Sequence, residues 1–178
     1  MGAANDETCR RLTRELLTAL AAAASTLAVA ESLTGGLLAY TLTEAPGASE
    51  AFRGSVTAYA TDTKAAVLHV DQSLLQAAGP VHPHVAAQMA KGVRLLMNAT
   101  YGLATTGVAG PEPQGDHDPG TAYIAFASAD HACSMRLHAD GDRQAVQNAT
   151  VLSALTMLQD HLRPGGHGHT GVVGGPPG

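Results

Sequence analysis

The sequence predicts an α/β fold, a three-layer α/β/α domain built on a mixed sheet. Two patterns carry that prediction. Through the first hundred residues, short apolar runs of strand length alternate with amphipathic stretches of helical period. Later, two strand-like runs are joined by a four-residue polar connection, which adds a hairpin and makes the sheet mixed. A third observation, composition, makes the chain globular: 45% of its 178 residues are hydrophobic and 14% charged. That is enough apolar material for one domain with a real core.

The elements follow in order. Leu12, Leu16, Leu17 and Leu20 recur at helical spacing and predict a helix over 6–24, with Arg10, Arg11 and Arg14 largely off the stripe. The run TLAVA at 26–30 suits a buried strand. Residues 31–36 form a junction that opens a helix over 37–43, and 46–49 (Pro-Gly-Ala-Ser) read as a loop. A strand over 52–60 places Val56, Ala58 and Ala60 on one face and Thr57 and Tyr59 on the other. Short helices are expected over 63–68 and 72–77. Val85, Met89, Val93 and Leu96 mark a helix over 84–97, with Pro83 in its first turn. A strand over 101–106 runs into a Gly-rich junction at 106–111, and 112–119 is a polar loop. Strands over 121–127 and 132–138 flank a turn at 128–131. Val151, Leu155 and Leu158 face inward from a last helix over 144–162. Residues 163–178 hold seven glycines and three prolines and read as a disordered tail, which leaves 1–162 as the domain.

Charge and composition exclude several functions. Ten basic residues against fifteen acidic give a net charge of −5, which offers no long-range attraction to nucleic acid or anionic membrane. Four Tyr, two Phe and no Trp leave little surface on which to stack bases. No apolar run reaches the roughly 20 residues of a membrane span, and the polar start has no signal-peptide core. Cytoplasm is the default location. Cys9 and Cys133 cannot build a disulfide framework and read as structural. Alanine is abundant, so closely packed elements are expected.

Four constellations are candidates for chemistry. In Glu31-Ser32-Leu33-Thr34-Gly35-Gly36 a strand feeds a helix through two hydroxyls and two glycines. Backbone N–H groups at such a turn attract anions, while Ser and Thr there also serve as plain helix caps. Tyr59 and Lys64 come next. Only Lys64 and Lys91 are lysines, and a lysine desolvated at a strand-to-helix junction becomes a usable base, although most lysines are solvated. Thr106-Gly107-Val108-Ala109-Gly110-Pro111 repeats the first logic, with a simple turn as the alternative. Asp142 suits a cap for the last helix, and Arg143 suits a carboxylate or phosphate, with capping alone as the alternative. Loops at the C-terminal ends of parallel strands bind ligands in such folds, and both Gly-rich junctions sit there. No metal site is expected: His82-Pro83-His84 and His117-Asp118 each lack a third ligand at useful spacing, and His167 and His169 in the tail are placed to scavenge metal during purification.

The constellations and their order resemble the C-terminal domain of the CinA (competence/damage-inducible) family. The segments that carry the resemblance are AESLTGG at 30–36, PGASEAFRGSVTAYATDTKAAVLHV at 46–70, AAQMAKGVR at 86–94, TGVAGP at 106–111, PGTAYIA at 119–125 and GDR at 141–143. They span nearly all of the predicted domain. The resemblance implies a mixed, mostly parallel five-stranded sheet. It implies a stand-alone amidohydrolase acting on the carboxamide of nicotinamide mononucleotide (NMN), giving nicotinate mononucleotide and ammonia in pyridine-nucleotide salvage, by a Ser/Lys pair with no cofactor and no metal. The alternative is a nucleotide-binding or interaction module without catalysis.

On that reading Lys64 is the base and Tyr59 relays a proton or orients it. Ser32 and Ser49 both match family positions, and Ser32 is preferred as nucleophile. Glu31, Thr34, Gly35, Gly36, Thr106, Gly107 and Gly110 are expected to contact substrate, with Arg143 on its phosphate. A homodimer fits a small alanine-rich α/β enzyme, though no residue argues for one. The nucleotide pyrophosphatase-like activity of the fused N-terminal domain in longer members is not expected. The sequence departs from the family pattern at Leu33, at His82-Pro83-His84 and at Glu112-Pro113-Gln114, the last beside the presumed pocket.

Overall fold

A computed structural model describes residues 2–163, with side chains from residue 7 onward. Of the tail expected over 163–178, Arg163 follows the last helix and residues 164–178 lie outside the described residues. The elements in chain order are α1 (Gly2–Ala22), β1 (Leu27–Glu31), α2 (Leu37–Thr43), a 3-10 turn (Ala48–Glu50), β2 (Phe52–Thr57), α3 (Thr61–Leu68), α4 (Gln72–Ala78), α5 (Pro83–Leu96), β3 (Tyr101–Gly107), β4 (Thr121–Ala127), β5 (Ala132–His138) and α6 (Arg143–Leu162). No helix among the described residues is long and apolar enough to cross a membrane.

The five strands form one mixed sheet in the order β2-β1-β3-β4-β5. β1 pairs in parallel with β2 and with β3, while β3–β4 and β4–β5 are antiparallel. β1 therefore has a parallel neighbour on each side. Its crossover to β2 uses α2 and the crossover from β2 to β3 uses α3, α4 and α5. In an open α/β sheet this reversal leaves a crevice beyond the carboxyl end of the strand at which the order reverses, β1. Here that end is the Glu31–Ser32 junction.

Strand alternation sorts the core into two unlike halves. Leu27, Val29, Leu103, Ile124 and Phe126 face one side and pack with Leu12, Leu16, Leu20, Leu38, Leu155 and Leu158. Their neighbours Ala28, Ala30, Ala104, Ala125 and Ala127 face the other side, against Val85, Met89, Ala90 and Val93 of α5. Alanine is thus concentrated where a helix must lie close to a sheet. The approach is tight enough that a Cβ on Gly102 would sit 2.1 Å from the Ala90 carbonyl oxygen, and one on Gly92 2.0 Å from that of Leu68.

Two expectations change. The strand expected over 52–60 ends at Thr57, because its partner β1 ends at Glu31, the last paired residue. One further bond, from Ala58 N–H to the Glu31 carbonyl at 2.9 Å, closes the ladder. The loop at 46–49 runs into the 3-10 turn at Ala48–Glu50, which is capped by Gly47 in a left-handed conformation. Pro83 opens α5 as the sequence predicts, with the His82 side chain accepting from the His84 N–H.

Candidate active site

The elbow between β1 and α2 is held from beneath. Ser32 N–H donates to the Thr105 carbonyl at 3.0 Å, which extends the β1–β3 ladder past Glu31. The Glu31 side chain is fully buried. Its carboxylate accepts the backbone N–H groups of Gly36, Leu38 and Ala39 at 3.1, 3.0 and 2.8 Å. A buried carboxylate is tolerable only with such donors, and the start of α2 supplies them together with its dipole. The Thr34 and Thr105 hydroxyls lie 2.7 Å apart and are buried. Gly35 and Gly36 have φ of 61° and 103°, values that let the chain reverse before α2.

On this platform Ser32 meets Lys64. The Lys64 Nζ lies 3.0 Å from Ser32 Oγ, 2.7 Å from the Ala58 carbonyl and 3.4 Å from the Tyr59 carbonyl. The lysine side chain is fully buried. Burial lowers its pKa from the usual 10.5 to about 8, because a charged ammonium loses hydration there. A neutral amine has two N–H bonds and one lone pair. The Ala58 and Tyr59 carbonyls can only accept, so they take the two N–H groups and the lone pair is left to Ser32. That is the arrangement of a general base on a hydroxyl.

Both groups open onto a cavity of about 300 Å³. Its walls include Leu33, Tyr59, Thr106, Gly107, Gly110 and Arg143, with Glu112, Pro113 and Gln114 at the loop after the second Gly-rich junction. Among the described residues the Leu33 N–H, directly after Ser32, has no hydrogen-bond partner. A donor in that place suits an oxyanion formed at the serine. Thr106 is buried, and its hydroxyl donates to the Pro80 carbonyl at 2.8 Å, tying β3 to the segment before α5. Arg143 is the first residue of α6, which Asp142 caps by accepting from Ala145 N–H at 2.8 Å. The Arg143 guanidinium donates to the Gly110 carbonyl and so is anchored at the cavity rim.

The structure thus gathers Ser32, Lys64, Tyr59, Thr106, Gly107, Gly110 and Arg143 around one space. It corrects other expectations. Ser49 is exposed in the 3-10 turn that leads into β2. That turn is at the start of a strand whose end delivers Lys64, so the length of β2 separates them: six residues, or about 20 Å. Ser49 cannot share a base with Ser32. Glu31, Thr34, Gly35 and Gly36 do not line the cavity; their polar groups and turns are used in forming the elbow. Tyr59 reaches Lys64 through its backbone carbonyl, and its side chain is 66% exposed, so it orients the amine as backbone.

Sequence reading missed Ala58, whose carbonyl makes the shortest contact to Lys64. A backbone acceptor leaves no mark in residue type. It also missed a cluster at the other end of the sheet, where His131, Cys133 and His161 place one ligand atom each within 4.8 Å of the others. His131, last residue of the turn, lies two positions before Cys133 on β5, a visible hint, but His161 joins them only through the packing of α6.

The comparisons agree with this architecture. Residues 9–162 match the CinA C-terminal domain family. A CinA-like protein of Frankia casuarinae is 52% identical over 138 residues, which is 78% of this chain and 32% of that protein. A CinA-like protein of Geobacter metallireducens is 40% identical over 158 residues, 88% of this chain and 37% of that protein. The chain spans about a third of the length of these curated relatives. Among solved structures, a competence-damaged protein (CinA) superfamily protein from Klebsiella pneumoniae superposes with a TM-score of 0.84 at 30% identity, covering 86% of this chain and 97% of that one. The competence/damage inducible protein CihA from Agrobacterium tumefaciens gives 0.82 at 30% identity, covering 86% and 94%. The sheet order, the elbow and these matches lead to one assignment: the chain belongs to the CinA family, through its C-terminal domain.

Proposed function

We propose that the chain is an amidohydrolase that converts the carboxamide of NMN to nicotinate mononucleotide and ammonia. The observation that carries the reading is the 3.0 Å contact between Lys64 Nζ and Ser32 Oγ in a buried setting. At pH 7 a pKa of about 8 leaves roughly a tenth of the lysine neutral. That is roughly 300 times the share at a pKa of 10.5.

The neutral amine takes the Ser32 proton as Oγ attacks the amide carbon. The oxyanion forms beside the Leu33 N–H. Lys64, now charged, returns the proton to the amide nitrogen, the C–N bond breaks, and ammonia leaves. Water, deprotonated by the same amine, cleaves the acyl ester and restores Ser32. The substrate phosphate fits the rim, where Arg143 and the capped start of α6 supply a fixed cation and a helix N-terminus.

The test is ammonia release from NMN by the purified chain. Turnover that vanishes in both Ser32→Ala and Lys64→Ala is the expected result. NMN binding without product over hours overturns the hydrolase reading in favour of a nucleotide-binding module, and full turnover in Lys64→Ala overturns the proposed base.

A further inference from the structure

Far from the cavity, the β4–β5 hairpin and the end of α6 meet. Arg143 opens α6 at the cavity rim and His161 lies eighteen residues further on, about 27 Å along the helix. We propose that His131, Cys133 and His161 form a binding site for a zinc ion, separate from the hydrolytic site.

The ligand atoms are already arranged. Cys133 Sγ and His161 Nε2 are 3.4 Å apart. Two ligands on a tetrahedral zinc, one sulfur and one nitrogen, stand about 3.5 Å apart, given bonds of about 2.3 and 2.0–2.1 Å. His161 Nδ1 lies 2.8 Å from the Met157 carbonyl. A carbonyl only accepts, so Nδ1 carries the ring hydrogen and Nε2 presents its lone pair toward Cys133. A backbone carbonyl on the far nitrogen is how proteins orient metal-binding imidazoles.

The rings and chain around the site are fixed as well. The His161 ring stacks on Phe126 with centroids 4.1 Å apart. Phe126 is the direct cross-strand partner of Cys133. The His131 backbone is held in the turn, where its N–H donates to Ser128 Oγ and its carbonyl accepts from the Ser128 N–H. Its side chain is exposed and its ligand nitrogen is within 4.8 Å of the other two, so a rotation about its side-chain bonds closes the set. Two imidazoles and one thiolate suit zinc better than magnesium or calcium, which take oxygen ligands. Binding releases the Cys133 proton to solvent, and water fills the fourth position. The bound ion clamps the hairpin to the end of α6.

The experiment is a cobalt(II) titration of the full chain followed by displacement with zinc(II). One equivalent of cobalt is expected to produce a thiolate-to-metal charge-transfer band, which zinc removes. Cys133→Ser abolishes the band. His161→Gln and His131→Asn each weaken zinc binding by at least about tenfold, since even an outer partner of a metal ligand is worth that much. His131 is exposed, so its variant reads the site even if substitution at Cys133 disturbs the strand. Cys9→Ser and the double variant His167→Asn/His169→Asn leave the band and the zinc affinity unchanged. A missing band, a band that survives Cys133→Ser, or binding that disappears only with His167 and His169 overturns the site. None of these readouts depends on NMN turnover.

Discussion

The Lys64 amine is closer to the Ala58 carbonyl, at 2.7 Å, than to the hydroxyl it would activate. A strand end therefore sets the direction of the lone pair. Ala58 is the residue at which β2 closes its ladder on β1, so the amine is aimed by the sheet. Activity should accordingly be sensitive to the protonation state of this amine and tolerant of change at exposed hydroxyls.

The two serines separate the first prediction. Ser32→Ala should lower kcat for ammonia release by at least about a thousandfold, as removal of an activated nucleophile does elsewhere. Ser49→Ala should stay within about twofold of the parent, because that residue is exposed at the other end of β2. Steady-state kinetics on NMN check both.

The pH profile follows from burial of the amine. The base works when neutral, and burial brings its pKa down to about 8. The rate should rise as pH climbs through about 8 and then level off. In Lys64→Ala the residual rate should lose that inflection. A flat profile in the parent across pH 7–9 would remove Lys64 as the base.

Arg143 predicts a different kinetic signature. It is fixed at the rim by the Gly110 carbonyl and by its place in the first turn of α6. Arg143→Ala should raise KM by about tenfold or more, the worth of a hydrogen bond to a charged group, with kcat changed far less. Nicotinamide riboside, which lacks the phosphate, should be insensitive to the substitution.

Glu31 should matter for stability and not for contact with substrate. Its carboxylate accepts three backbone N–H groups in a fully buried position. Glu31→Gln removes the charge and points an amide donor at donors. A loss of about 2 kcal/mol is expected, which lowers Tm by about 4–8 °C in a domain of this size. Thermal unfolding monitored by circular dichroism measures it.

Two glycines give a final contrast. At Gly35 a Cβ meets nothing within 4 Å, but φ is 61°, so Gly35→Ala should cost only about 1–2 kcal/mol of backbone strain. At Gly102 a Cβ would collide with the Ala90 carbonyl at 2.1 Å. Neither backbone can yield without lifting α5, and Gly102→Ala should cost at least about 3 kcal/mol, at the upper end of overpacking. Chemical denaturation of the two variants ranks them.

Much of this architecture is legible in the residues. The period of Leu12, Leu16, Leu17 and Leu20 gives α1, which buries one face, and the two strand-like runs at 121–127 and 132–138 around a polar turn give β4 and β5. Apolar run and turn chemistry likewise place α2 at Leu37–Thr43. The rarity of lysine singles out Lys64, and the second Gly-rich turn, 106–111, marks the cavity wall. What could not be read was which small polar residues look outward. Ser32, Thr34 and Glu31 share one junction, yet only Ser32 opens to the cavity, because the carboxylate and the threonine turn back onto α2 and β3. Ser49 misled for a related reason: motif order says nothing about which end of a strand a residue occupies. The His131, Cys133 and His161 cluster depends on a contact across 28 residues that no local pattern encodes.

The glycine seat of α5 has a consequence for how such proteins diversify. Since Gly92 rests on the Leu68 carbonyl at the end of α3, the depth of the helix that carries the amine is inherited from two main chains, and neither can drift alone. Sequence change is accommodated more readily where no such bearing surface exists. In this chain that place is the exposed 112–116 stretch, whose first three residues line the cavity and can be rewritten while the elbow and the amine below them stay in register.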